Sequence, residues 1–334
     1  MKKITTVLLT SFLASFLAGS LTQSSFASGD RLPPNEMGEI MMLMYHQIRS
    51  PEKDYVRSAE NFRRDLEDLY NRGYRLANLN DIIDGNIKTE EGRTPFVLTF
   101  DDAAYGQINK IQSNGSSEWD PDCAVGIILE FAKKHPDMGV AGTFYVNPFT
   151  SHMEKGESSQ WGSWMKEMVS LGFEFGNHTV THPILAKEDP TYPQVEKEIG
   201  GLQAWVHKYL PDYHIRTMAL PFGVYPLQTD WAVTGTYEGE TYNHEALMKV
   251  GANPTPSPFS KEWSPLHLAR IRAQDVTGDL PVSGYWIDFF DKHPEKRFVS
   301  DGDPQTLTIP ASAKAQLRAD FPKTFPANMK VVVK

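Results

Sequence analysis

Two short clusters carry the residues most able to do chemistry. Thr99-Phe100-Asp101-Asp102 ends an apolar run with adjacent carboxylates, and His178-Thr179-Val180-Thr181-His182-Pro183 sets two imidazoles four residues apart. One carboxylate and two imidazoles make a ligand set for a divalent cation that leaves coordination positions open for water. A spare carboxylate beside the ion can take that water's proton, so the combined chemistry is metal-assisted hydrolysis. Each cluster alone has a plainer reading: Asp-Asp after a strand opens turns and caps helices, and nearby loop histidines usually face solvent or bond to backbone.

The elements that would position them follow from hydrophobic pattern. Residues 96–100 and 173–177 read as buried strands, so Asp101 and His178 fall at strand carboxyl ends, where barrels and open parallel sheets place reactive groups. Seven candidate strands, at 40–45, 96–100, 140–146, 173–177, 216–220, 246–250 and 268–271, alternate with amphipathic segments, the pattern of an α/β fold with parallel strands. Phe62, Leu66, Leu69 and Tyr70 share one helical face, with Ser58 placed to cap the start and Gly73 to end it. Trp161, Trp164, Met165, Met168 and Leu171 form a second stripe stopped by Gly172, and those tryptophans read first as core. Val195, Ile199, Leu202 and Val206 form a third, with Pro190 where the helix begins. Asn114-Gly115-Ser116-Ser117 and Asp120-Pro121-Asp122 predict a long loop over 107–123, beside the aspartate pair. Residues 253–263 are also loop-rich. The strand count fits a (β/α) barrel or a doubly wound sheet, and either brings the strand-end residues to one face.

Composition narrows the partners. Lys2 and Lys3, an apolar span over 7–18 and Ser25-Phe26-Ala27 read as an export signal cleaved after Ala27. No later segment offers about 20 consecutive apolar residues, so the expectation is a secreted, extracytoplasmic protein with no transmembrane segment in the mature chain. A single cysteine, Cys123, rules out an internal disulfide, so stability must come from a core. The net charge of −9 and pI near 5.6 argue against nucleic acid, whose phosphates call for concentrated Lys and Arg. A neutral or cationic substrate fits better. The seven tryptophans could stack on sugar rings, although each is more simply read as core.

In motif order and spacing, the chain resembles the polysaccharide deacetylases with a NodB-homology domain, carbohydrate esterase family 4. Thr99-Phe100-Asp101-Asp102 resembles that family's first motif, Gly142-Thr143-Phe144-Tyr145-Val146 its following strand, and the run from Gly172 through His178 and His182 to Pro183 its second motif. The resemblance spans residues 41–271. It implies a distorted (β/α) barrel of about seven parallel strands, Asp102, His178 and His182 as metal ligands, and Asp101 as general base. Zn²⁺ suits two imidazoles and a carboxylate, and Co²⁺ or Ni²⁺ would also be held. Leu43-Met44-Tyr45-His46 resembles the histidine motif of circularly permuted members that act on poly-N-acetylglucosamine, which makes His46 the general acid, with His267 as the alternative. Pro221-Phe222-Gly223 matches part of the third motif and implies the Phe222 N–H as an oxyanion donor.

Two departures stand out. Ala103-Ala104 follows the aspartates where the family often has Gly, and Ala219 stands where the third motif has an arginine that orients the base. Arg270 or Arg216 could supply that guanidinium from elsewhere. The implied organisation is a signal peptide (1–27), a linker (28–39), a deacetylase domain (40–300) and a C-terminal extension (301–334) with no catalytic role. The implied reaction removes acetyl groups from N-acetylglucosamine units of a polysaccharide. Two other readings stand beside it: a metal-dependent amide hydrolase with a non-polymeric substrate, and a carbohydrate-binding homologue impaired in catalysis.

Overall fold

A computed structural model describes residues 30–113, 115–148, 158–187, 191–275, 281–320 and 329–334. The expected export signal and Pro190 lie outside the described residues. Eight parallel strands make the main sheet: β1 (Met41–Tyr45), β2 (Tyr74–Leu76), β3 (Thr94–Asp101), β4 (Thr143–Val146), β5 (Glu174–Asn177), β6 (Thr217–Ala219), β7 (Ala246–Met248) and β8 (Ile271–Arg272). Their order is β7-β6-β5-β4-β3-β1-β8, with β2 paired to the first half of β3 and β4 to its second half. Two isolated parallel bridges, Met248↔Leu268 and Gly251↔Ile271, join the ends of this order. The sheet therefore curls round on itself as a distorted (β/α) barrel, which the strand count alone could not separate from an open sheet.

Seven of these strands match the expected ones. The eighth, Tyr74–Leu76, is three residues long and follows directly on the turn at Gly73 (φ +81°), too short to carry a period-2 signal. Alternation along the strands divides the core. Met41, Leu43 and Tyr45 of β1 and Phe96, Leu98 and Phe100 of β3 pack outward with the helices, whereas Ile40, Met42 and Val97 join an inner cluster with Tyr145, Phe259 and Phe298. Asp101 shares parity with Val97 and Thr99, so the pleat turns its carboxylate into the barrel. The Tyr145 ring fills that interior beside Gly176, where a Cβ would stand 2.3 Å from the ring.

The helices form where the stripes predict. Ser58 Oγ accepts the Asn61 N–H at the start of α1 (Ala59–Asn71), which buries Phe62, Leu66 and Leu69. The helix α2 (Ala124–Lys134) follows the loop after the aspartates. Trp161, Met165 and Met168 are buried on α3 (Ser158–Leu171), and Gly172 at φ +104° leads out of it. α4 (Tyr192–His207) starts with a capping box between Thr191 and Gln194, and α5 (Ser283–Lys292) lies near the end of the barrel.

The loop expected over 107–123 is more ordered than its turn formers suggest. Inside 107–123, Lys110–Ser113 and Ser116–Trp119 pair antiparallel, with Gly115 at φ +83° turning between them, so the turn formers mark a hairpin. Near the C terminus, Thr306–Ile309 pairs with Lys330–Val333, and Leu307 and Ile309 are buried against the inner cluster. No helix among the described residues is long and apolar enough to cross a membrane.

Candidate active site

The carboxyl ends of β1, β3 and β5 deliver the titratable groups. Asp101 is the last residue of β3 and is buried. The chain then turns sharply through Asp102 (φ +75°) and Ala103 (φ +44°), which aims Asp102 at the histidine loop. That loop is tied down by α4: Glu198 accepts the N–H groups of Val180 and Thr181 and the Thr181 hydroxyl. Asn177 Oδ1 accepts the Thr179 N–H, and Thr179 Oγ1 accepts the His182 N–H. Thr179 (φ +66°) and His182 (φ +58°) both hold left-handed backbone, a local strain of the kind that accumulates where side chains must converge.

The convergence is close. Asp102, His178 and His182 each offer a ligand atom, and the three atoms lie within 4.8 Å of one another. His178 Nε2 stands 3.4 Å and His182 Nε2 3.6 Å from Asp102 Oδ1. His178 Nδ1 lies 2.7 Å from the Ala219 carbonyl, which requires a proton on Nδ1, so that in the neutral ring Nε2 is the nitrogen with a free lone pair toward Asp102 and His182. Asn147 Nδ2 donates to Asp102 Oδ1 at 3.1 Å and fixes that carboxylate. The donor types and spacing fit a divalent ion of the zinc kind.

Asp101 is a second carboxylate alongside, with Oδ2 3.9 Å from both His178 Nε2 and His46 Nε2. Arg270, with no exposed surface, grips it in a bidentate pair, Nη1 to Oδ1 at 2.5 Å and Nη2 to Oδ2 at 2.7 Å. The guanidinium is held in turn by Thr99 Oγ1 and the Lys249 carbonyl. Arg270 therefore supplies from the edge of β8 the guanidinium that Ala219 lacks. Arg216 does not: it lies before the amino end of β6, bound to Glu245 and Asp84.

Electrostatics sort these groups. Burial opposes ionisation of Asp101 and Asp102. It is outweighed for Asp101 by the charges of Arg270 and His178, and for Asp102 by the bond and charge of His178, so both carboxyls lie below their usual range. Burial also opposes charge on His178, but Asp101 and Asp102 overcome it and raise its pKa. Burial lowers the pKa of His46 despite the pull of the two aspartates, and lowers that of His182 with help from His178.

Of the two candidate acids, the fold brings His46 to the carboxylates. His267 is exposed in the turn Pro265–His267, with Nδ1 2.7 Å from the Tyr225 hydroxyl. Phe222 (φ +57°) is exposed, with its ring centroid 4.7 Å from that of His182. Sequence reasoning passed over Asn147, although a polar residue directly after a barrel strand is the same signal that picked out Asp101. It also passed over Tyr55, whose ring packs 4.8 Å from that of His46 and which no motif marks.

Comparison with known proteins bears on the family resemblance and on the fold. Residues 88–236 match the polysaccharide deacetylase family. Over that segment, under half of the chain, it resembles a polysaccharide deacetylase domain, which marks a hydrolase of the N-deacetylase kind. The match begins after His46 and ends before Arg270, so those two residues reach Asp101 from outside the matched segment. No curated protein sequence matches. Among solved structures, the chain is similar to Streptococcus pyogenes deacetylase PplD in complex with acetate, at 20% identity over 77% of this chain and 99% of that one, with a TM-score of 0.52. It is also similar to IcaB from Ammonifex degensii, at 17% identity over 78% of this chain and 100% of that one, with a TM-score of 0.50. At these identities the likeness is one of fold.

Proposed function

We propose that this protein is a secreted, metal-dependent deacetylase that hydrolyses the acetamide of N-acetylglucosamine units in a polysaccharide, releasing acetate. The observation that carries the reading is the meeting of Asp102, His178 and His182 within 4.8 Å, with Asp101 as a further buried carboxylate 3.9 Å from His178. Three protein ligands leave a coordination position open for water, which a closed structural site does not. A second carboxylate beside them, ionised and held by Arg270, serves a reaction that must remove a proton from water.

Asp102, His178 and His182 would hold the ion, with Zn²⁺ the best fit and Co²⁺ or Ni²⁺ compatible. When bound, the ion supplies Lewis-acid polarisation of water and of the acetyl carbonyl. Asp101 takes the proton from the attacking water, and Arg270 keeps that carboxylate ionised and oriented. The Phe222 N–H is assigned to the oxygen that gains negative charge. His46 gives a proton to the nitrogen as the C–N bond breaks, so water and amide become acetate and a free amine. Arg270 also removes the main motive for a binding-only homologue, the missing arginine of the third motif.

The test is acetate release from chitin fragments, peptidoglycan and β-linked poly-N-acetylglucosamine, with chelator and with zinc restored. Release that chelator abolishes and zinc recovers supports the reading. Sugar binding with no acetate from metal-loaded protein refutes it. Asp101→Asn should keep the metal and lose about 10²- to 10⁴-fold in turnover, whereas His178→Ala should lose both. Export is tested separately: the mature protein recovered outside the cytoplasm should begin at Ser28.

A further inference from the structure

Gln107 belongs to neither motif and is fully buried just past the aspartate turn. Its Nε2 donates to two carbonyls, that of His46 at 2.7 Å and that of Asp101 at 2.6 Å. An amide nitrogen has two hydrogens, so both are spent on the residues read above as acid and base. Turning the amide over would set Oε1 against two carbonyl oxygens, so the surroundings fix its orientation. Oε1 has no partner among the described residues. A bare buried acceptor is a cost to stability, so what an amide adds here over an apolar side chain of equal length is this pair of donated bonds.

The strand register shows why such a tie matters. The ladder between β1 and β3 ends at the pair Tyr45↔Phe100, and His46 and Asp101 are the first residues past it. Gln107 adds a cross-link where the ladder has stopped. Its own backbone is docked on the start of α2, with its carbonyl accepting the Val125 N–H and the Gly106 carbonyl accepting the Ala124 N–H. Gly106, at φ +77°, lets this strap pass against the segment after His46, since a Cβ there would stand 1.8 Å from the Ile48 carbonyl oxygen.

We propose that Gln107 is a positioning residue that sets the spacing of His46 and Asp101, now 3.9 Å from Nε2 to Oδ2, by clamping their main-chain carbonyls together. The proposal rests on the acid and base assignments made above.

Gln107→Met removes both donors at nearly the same length. In zinc-loaded protein, kcat should fall about 10- to 100-fold with KM within about twofold, the cost expected when reacting groups are misplaced by about 1 Å. Gln107→Asn keeps the two hydrogens on a side chain too short to reach both carbonyls, and should fall in between. It carries the test if Gln107→Met does not fold. The deciding readout is a double-mutant cycle with His46→Ala. With no imidazole left to place, the loss caused by the Gln107 change should be at least about fivefold smaller than in the wild-type background. A purely structural role would lower kcat by the same factor in both backgrounds, and that result, or wild-type kcat in Gln107→Met, overturns the proposal. If His46→Ala or Asp101→Asn alone leaves kcat unchanged, the acid and base assignments fail first and the proposal falls with them.

Discussion

Replacing Arg270 by Met tests the electrostatic frame of the site most severely. The guanidinium is wholly buried and makes two bonds to Asp101, one to Thr99 Oγ1 and one to the Lys249 carbonyl. Met matches much of its length without charge, so the variant keeps Asp101 buried and removes its partner. Breaking a buried ion pair from one side costs about 3–5 kcal/mol, because the remaining charge stays desolvated. The sign with pH is fixed by direction. In the wild type the Asp101 carboxyl lies below its usual range, so its contribution to stability is complete above about pH 4 and is lost as pH falls further. In Arg270→Met, burial dominates and the carboxyl rises, so the penalty should be largest at neutral pH and shrink in acid, where the lone carboxyl can take a proton. Urea unfolding of metal-free protein at pH 7 and pH 4 measures this. In metal-loaded protein, the acidic limb of the pH–rate profile should move to higher pH as the base becomes harder to ionise. A variant with wild-type stability at pH 7 and an unmoved acidic limb would refute the claim that Arg270 holds the base.

Other outcomes follow from single contacts. His46→Ala should reduce turnover about 10²-fold or more while His267→Ala stays within about twofold; the reverse ranking in acetate-release assays would return the acid role to His267. Glu36 is buried with Asp301 beside it. Its carboxyl is pushed from the ordinary 4.5 up to about 8, by burial first, with the Thr308 N–H pulling the other way and the Asp301 charge adding to the rise. Because the folded value is the higher one, this group's contribution is fully present below about pH 4.5 and is lost toward pH 8, at about 1.4 kcal/mol per unit. Glu36→Gln should therefore flatten the decline in melting temperature between pH 5 and pH 8, and an unchanged slope would count against the assignment. Cys123 is buried at the start of α2, where burial pushes its thiol up to about 11, so a thiol reagent at pH 8 should modify it only after denaturant is added.

The sequence by itself determined the parts of this protein whose signal is local. A strand carries its own apolar run, so seven of the eight barrel strands and the three amphipathic helices could be read directly. Asp101-Asp102 and His178/His182 were legible because each pair lies within a few residues at a strand end and together they match the ligand set and base proposed above. Tertiary structure alone decided what depends on distant segments meeting. Thr94–Asp101 takes both Tyr74–Leu76 and Thr143–Val146 along one edge, and the short strand is recognisable only by that partner. Arg270 could replace Ala219 because barrel closure carries a residue far along the chain to Asp101, a contact with no sequence spacing to announce it. The same holds for Gln107, whose amide is one of many until the ends of β1 and β3 place two carbonyls within its reach. Periodicity and motif record interactions along the chain, whereas bidentate pairing and clamping are made across it, and only the closed barrel fixes which residues face each other.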